Sequence, residues 1–263
     1  MTSENTAGQL AVTVVGGPTA VIDLGGLRFV TDPTFDTAGS SYELGPVALH
    51  KVAGPALTPG QLGPVAAVLL SHDQHPDNLD GAGRAFLKEV ALVLTTEQSA
   101  ERVGGTGLAP WAEHVLERPD GGRLTVTAVP AQHGPAGTEQ VLGAVTGFLL
   151  SGEGLPTVYV SGDNVSLEPV KALAERLGGA GVDLAVLHVG AAQLAPFGPT
   201  LLSLTSEQAV EVAELLGARK VLAVHQDGWQ HFTEGQATVS AAFEKAGAAG
   251  RLLAPEAGTG FAL

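Results

Sequence analysis

The chain contains no cysteine, which excludes disulfides and thiolate metal sites, so any metal it holds must sit on nitrogen and oxygen ligands. Such donors suit zinc, manganese or iron. Basic residues are scarce: 13 Lys and Arg stand against 27 Asp and Glu, for a formal charge of −14. They do not cluster, so there is no electrostatic footprint for a nucleic-acid backbone. No apolar run reaches the roughly 18 residues of a membrane span, and no basic amphipathic segment suggests a membrane surface. Residues 1–9 lack the basic start and apolar stretch of a signal peptide and read as a flexible polar leader. These absences point to a cytoplasmic protein whose partner is a small molecule. They leave its oligomeric state open.

What is present describes a compact, loop-rich chain: of 263 residues, 44% are hydrophobic, only 15% are charged, and 36 are glycine. No long Pro/Ser linker or charge run divides it, so residues 10–263 read as one domain. Short apolar runs at 10–15, 19–24, 27–31 and 66–70 read as strands of an antiparallel meander, with Gly25-Gly26 as a two-residue hairpin turn. Helices then alternate with strands. Residues 79–90 carry helical spacing, and Ser206 to Leu216 form the clearest helix, with a capping box from Thr205 and Gln208 and a stop at Gly217. A last helix is expected over 234–246 behind Thr233. Further strands are expected at 91–94, 124–129, 145–150, 157–160, 184–189 and 221–224. Two β-rich halves with helices satisfy the burial pattern as an α+β four-layer αββα sandwich, two mixed sheets with helices on both outer faces.

The densest chemistry lies in Ser71-His72-Asp73-Gln74-His75-Pro76-Asp77-Asn78-Leu79-Asp80, directly after an apolar strand. Imidazoles and carboxylates this close can converge on a divalent ion, although His and Asp are also ordinary turn and cap residues. Three more segments repeat the design of an apolar strand emptying into a ligand-type residue: 129–132 before His133, 158–162 before Asp163, and 221–224 before His225. If these strand ends share one edge of a sandwich, their side chains meet in one cleft. Asp32-Pro33 is a further candidate that reads equally as a strand-ending turn, and His50 and His114 read as surface residues in loops.

On these pieces the chain resembles the metallo-β-lactamase superfamily, and within it the branch of L-ascorbate-6-phosphate lactonase-like hydrolases. The resemblance spans about residues 10–250 and rests on 16–23 with 27–33, 71–80, 130–133, 159–164, and Thr205 through His225 to Phe232. The superfamily motif His-x-His-x-Asp-His is altered here. Counted back from Asp77, His75 is the second histidine, Asp73 falls where the first belongs, and Asn78 replaces the last; a one-residue bulge would instead make His72 the first ligand. The resemblance implies one metal site from His72 or Asp73, His75 and His133, with Asp163 bridging to a second formed by Asp77 and His225. An amide at Asn78 is a far weaker ligand than imidazole.

The activity implied is hydrolysis of a small ester, lactone, amide or phosphoester by a metal-activated water, with one or two zinc or manganese ions, or iron, and Asp77 orienting the water. Asn78, His188, Trp229 and His231 are candidates for contact with substrate. The alternative is a metal-poor, non-catalytic ligand-binding or regulatory member of the same fold, motivated by the altered motif.

Overall fold

A computed structural model describes residues 10–263; the expected leader lies outside them. Three strands open the chain, β1 (Leu10–Gly16), β2 (Thr19–Leu24) and β3 (Leu27–Thr31), followed by a small hairpin of β4 (Ser41–Leu44) and β5 (Val47–His50). Then come β6 (Ala67–Leu69), α1 (Gly81–Leu87), β7 (Val93–Thr96), α2 (Glu97–Val103), β8 (Thr106–Leu108), β9 (Glu113–Glu117) and β10 (Arg123–Pro130). The second half runs α3 (Glu139–Leu142), β11 (Thr146–Ser151), β12 (Val158–Val160), α4 (Leu167–Leu177), β13 (Leu184–His188), α5 (Ser206–Leu215) and β14 (Lys220–Val224). It closes with α6 (Gln236–Lys245), β15 (Leu252–Leu253) and β16 (Phe261–Ala262).

Two seven-stranded sheets face each other, in the orders β16-β1-β2-β3-β6-β7-β8 and β15-β14-β13-β12-β11-β10-β9. Alternation along the strands builds the layers. On β13, Leu184 and Val186 enter the core between the sheets, with Ile22, Leu69, Phe148 and Leu222. Ala185 and Leu187 point the other way, onto Leu173 of α4, Val212 of α5 and Phe243 of α6. The outer face of the first sheet packs Val68 and Leu70 on Phe86 and Leu87 of α1. The αββα sandwich is therefore present, with both sheets mixed in strand direction.

The turn at Gly25-Gly26 has positive φ at both residues, 59° and 80°, which a primed hairpin turn requires. Thr205 and Gln208 form the expected capping box. Other details need correction. The meander stops at β3, because β6 pairs parallel to it; the 32–66 connection is long enough for the crossover that parallel pairing demands. The helix expected over 79–90 shortens to α1, since Asp80 caps it by accepting the Gly83 N–H. The final helix starts at Gln236 behind Gly235. Thr233 cannot cap it because its hydroxyl donates to the Ala191 carbonyl, and the Glu234 carboxylate accepts from Ser206 N–H and Oγ–H. His50 ends β5 and His114 lies within β9, so neither sits in a loop.

Candidate metal centre

Segments leaving β6, β10, β12 and β14 converge at one edge of the sandwich. The Nε2 atoms of His72 and His133 lie 2.9 and 3.1 Å from His75 Nδ1. Beside them, His225 Nε2 lies 3.2 Å from Asp77 Oδ2 and 3.4 Å from Asp163 Oδ2. Ligand-type atoms thus form two groups, His72-His75-His133 and Asp77-Asp163-His225, each with its members within 4.8 Å of one another.

Hydrogen-bond partners fix which ring nitrogens carry protons. His133 Nδ1–H donates to the Leu202 carbonyl at 2.6 Å, leaving a lone pair on Nε2. Ser71 Oγ–H donates to Asp32 at 2.8 Å, so the hydroxyl must accept from His72 Nδ1–H at 3.0 Å, which again leaves Nε2 a lone pair. His225 Nδ1 faces the Val189 carbonyl at 3.3 Å, directing its Nε2 lone pair toward two carboxylates. Lone pairs facing one another and facing carboxylates are repulsive unless a cation lies among them, and imidazoles oriented by their other nitrogen are the usual form of metal-ligating histidine. The donor set therefore fits a divalent cation. A further acceptor, Asp77 Oδ1, is buried without a partner.

Electrostatics agree. Burial, reinforced by neighbouring imidazoles, holds His72 well below the usual histidine range, lowers His75, and lowers His133 to about 3; all three are neutral, as ligands must be. Burial alone would raise Asp77, but His231 and His225 outweigh it and keep its carboxyl well below the ordinary range. Asp163 is pushed up to about 8, first by burial and then by the charges of Asp77 and Asp32, which exceed the lowering by His188 and Asn78. A carboxyl so destabilised as an anion is one that a nearby cation would re-ionise.

Asp73, carried beside His72 as a first-ligand candidate, stands outside both groups. Its carboxylate accepts from Arg102 Nε at 3.0 Å and pairs more distantly with Arg84, 3.8 Å away. The extra residue between His72 and His75 lets the loop turn His72 inward while Asp73 points to α2. Asn78 also stands outside both groups: its Nδ2 donates to Asp163 at 3.0 Å and to Asp32 at 3.2 Å, and it is not among the residues lining the cavity above the cluster. His188 is fully buried and bonds Asp32 through Nε2 at 2.9 Å. Trp229, 3% exposed, stacks behind Tyr42 and under the Lys51 ammonium and pairs in backbone with Lys51; it braces the β4–β5 hairpin and does not line the cavity. His231 does line it, with Nε2 on Asp77 at 3.0 Å.

Above the cluster opens a cavity of about 530 Å³, walled by Leu44, Val47 and Leu49 of the β4–β5 hairpin, Val141 and Leu142 of α3, and the 194–202 segment with Phe197. Its floor is His75, Asp77, His133, Asp163 and His231, and no Lys or Arg is among its lining residues.

The sequence left Asp32 between a site residue and a strand-ending turn; its carboxylate accepts from Ser71 N–H at 2.6 Å, Ser71 Oγ–H, Asn78 and His188. The signal was available, since Asp32 follows a buried strand just as His133 and His225 do. Its φ of 26°, with 45° at Ala191 and 59° at His225, marks the strained backbone that gathers at functional sites. Gln74 and the apolar walls were missed, because segments distant in sequence build the cavity.

A four-layer sandwich with histidines and aspartates gathered at one edge defines the class of metallo-β-lactamase-fold proteins. The sequence pattern of the beta-lactamase superfamily domain matches residues 27–226, and the chain belongs to that superfamily. It is 28% identical over 233 residues to N-acyl-phosphatidylethanolamine-hydrolyzing phospholipase D 1 of Caenorhabditis elegans, covering 82% of this chain and 63% of that protein, so it spans less than two thirds of this relative's length. Its fold is similar to that of isothiocyanate hydrolase from Delia radicum gut bacteria, with TM-score 0.81, 21% identity, and coverage of 96% of this chain and 99% of the other. A possible metal-dependent hydrolase from Veillonella parvula gives TM-score 0.80 at 18% identity, covering 98% and 100%. The superfamily expected from the sequence is therefore shown; the lactonase-like branch is a finer expectation that these relatives do not carry.

Proposed function

We propose that this chain hydrolyses small, uncharged, largely apolar acyl compounds, namely esters, lactones or amides, with divalent metal held by His72, His75 and His133 and by Asp77, Asp163 and His225. The observation that carries the reading is a converging set of imidazole lone pairs on the floor of an apolar cavity whose lining includes no cationic side chain. Its volume suits a small ligand. A phosphorylated substrate would depend on the metal alone for its counter-charge, because no Lys or Arg lines the wall, so phosphoesters, including the phospholipid named for the nematode relative, rank behind neutral substrates. The isothiocyanate for which one fold neighbour is named is also small and uncharged and belongs in the test panel.

A bound divalent ion supplies Lewis acidity and makes water acidic enough to attack near neutral pH. The chain's own residues do the rest. Asp77, whose Oδ2 accepts from His231 and faces the ligating Nε2 of His225, keeps Oδ1 free to accept a hydrogen bond from the attacking water and orient it. Leu202, Ser71 and Val189 hold the imidazoles in the ligating tautomer. The apolar walls exclude bulk water and seat the substrate's hydrocarbon part. The nitrogen-rich group suits zinc, and the carboxylate-rich group suits zinc or manganese, with iron a further choice. The cytoplasmic location and free small-molecule partner expected from the sequence belong to the same reading; among the described residues no helix is long and apolar enough to cross a membrane.

The test is hydrolysis of 4-nitrophenyl butyrate, a δ-lactone, an anilide, phenethyl isothiocyanate and bis(4-nitrophenyl) phosphate by protein loaded with zinc or manganese. Turnover of neutral substrates that disappears in His133→Ala supports the proposal. Preference for the phosphodiester, or turnover unaffected by His133→Ala, overturns it.

A further inference from the structure

The extra residue between His72 and His75 has a second effect beyond turning Asp73 to Arg102. It sets Gln74 into the cavity wall beside His75. Gln74 is the one uncharged, non-titratable polar side chain among the residues lining that cavity; the other polar ones are His75, Asp77, His133, Asp163 and His231. Its Oε1 is sealed from solvent without a hydrogen-bond partner, and buried polar atoms left unpaired call for an explanation.

The amide is also held in place. It lies across Gly143, where an added Cβ would overlap the amide nitrogen and come within 2.9 Å of Oε1. Gly143 has a φ of 87°, a conformation glycine adopts freely and other residues resist. The backbone after α3 thus leaves a slot for this one amide. Nε2, the amide atom nearest Gly143, makes no hydrogen bond among the described residues and, unlike Oε1, is not sealed from solvent, which leaves it as the donor available to a ligand. A cavity with apolar walls and one uncharged amide donor beside the His/Asp floor suits a compound that is mostly hydrocarbon and carries an acceptor oxygen near the floor.

We propose that Gln74 is a specificity-determining residue whose Nε2–H donates to the carbonyl oxygen of a neutral apolar substrate and orients it over the cluster floor. The substrate class rests on the hydrolase reading above. The residue's role can be tested separately, by binding.

The probe is N,N-dimethylhexanamide, an acceptor without donors, titrated calorimetrically into zinc-loaded wild type, Gln74→Met and Gly143→Ala. Methionine keeps the length and shape of glutamine and removes the amide. A single neutral hydrogen bond predicts a Kd weaker by about 3- to 10-fold in Gln74→Met, with metal content and melting temperature unchanged. Gly143→Ala, which displaces the amide while retaining it, should weaken binding in the same direction. With 4-nitrophenyl hexanoate, whose only carbonyl is the one attacked, charge builds on that oxygen in the transition state, so Gln74→Met should lower kcat and kcat/KM by at least a similar factor with metal content and melting temperature unchanged, a pattern a merely structural role would not produce. Equal Kd in wild type and Gln74→Met, or no binding by the wild type, overturns the proposal. Probe binding by a wild type that turns over none of the esters would count against the hydrolase reading alone.

Discussion

Replacing Asp32 by Asn should both destabilise the fold and loosen the metal cluster. Asn tolerates a positive φ about as well as Asp, so the backbone angle of 26° is no obstacle and the effect isolates the carboxylate. In the better orientation the amide oxygen replaces Oδ2 and keeps Ser71 Oγ–H, Asn78 and His188 as donors, while the NH₂ confronts the Ser71 N–H that Oδ1 held at 2.6 Å. The Ser71 N–H and the new NH₂ are then both buried donors without a partner, at about 1–3 kcal/mol each. Three charge-assisted bonds falling to neutral ones lose roughly half their strength, about 1 kcal/mol each. Relief from burying a carboxylate offsets most of this, giving a net loss of ~2–3 kcal/mol. For a chain of this size that is a fall in Tm of roughly 5–10 °C, read by calorimetry on chelator-treated protein. Because Asp32 orients His72 through Ser71 and Asp163 through Asn78, metal affinity should also drop about 10- to 100-fold. A variant melting within about 1 °C of wild type and taking up metal normally would refute this view of Asp32 as the hub behind the cluster.

Other outcomes follow from the same contacts. Burial pushes Asp73 up, but hydrogen bonds from Arg102 and Ser99 and the charge of Arg102 outweigh it, and its pKa is lowered. The pair therefore contributes stability above the ordinary carboxylate value of about 4 and loses it as pH falls through the lower folded value. Denaturant unfolding of Arg102→Ala should thus differ most from wild type at neutral pH and converge with it in acid; a gap that widens in acid would contradict the pairing. Lys51→Met removes one member of a buried pair with Asp80, 2.8 Å apart. Asp80 retains the N–H groups of Phe35, Asp36 and Gly83, so urea titration should show a loss of ~2–4 kcal/mol, at or below the usual range for a broken buried pair; no loss would show that the pair is not formed. Gly190→Ala places a Cβ against the His225 carbonyl at a φ of 113°, so the shifted β14 end should lower metal stoichiometry, measured by elemental analysis, more than Gly45→Ala, where open space surrounds the glycine.

Much of this architecture was legible because it is written locally. Strand ends at Leu70, Val129, Val160 and Val224 deliver polar residues where backbone pairing stops, and Gly25-Gly26 and Thr205 with Gln208 carry turn and cap chemistry within four residues. The parallel pairing of β3 with β6 was not legible, because strand direction depends on a connection, not on the pattern of either strand. Whether His72 or Asp73 turns inward was equally hidden, since the answer lies with Arg102, 29 residues away. Trp229 and His188 carried the right residue types for a site, but bracing contacts from Lys51 and Asp32 place them behind it. The apolar walls come from a hairpin, a short helix and the 194–202 segment, far apart in sequence, and no local pattern announces such a cavity.

Whether the two His/Asp groups hold divalent metal is decided by elemental analysis of protein purified without chelator and then reconstituted. About one to two equivalents of zinc, manganese or iron should be found, with binding lost in His75→Ala and His133→Ala. Less than about a tenth of an equivalent, with none taken up on reconstitution, would overturn the assignment of these groups as a metal centre.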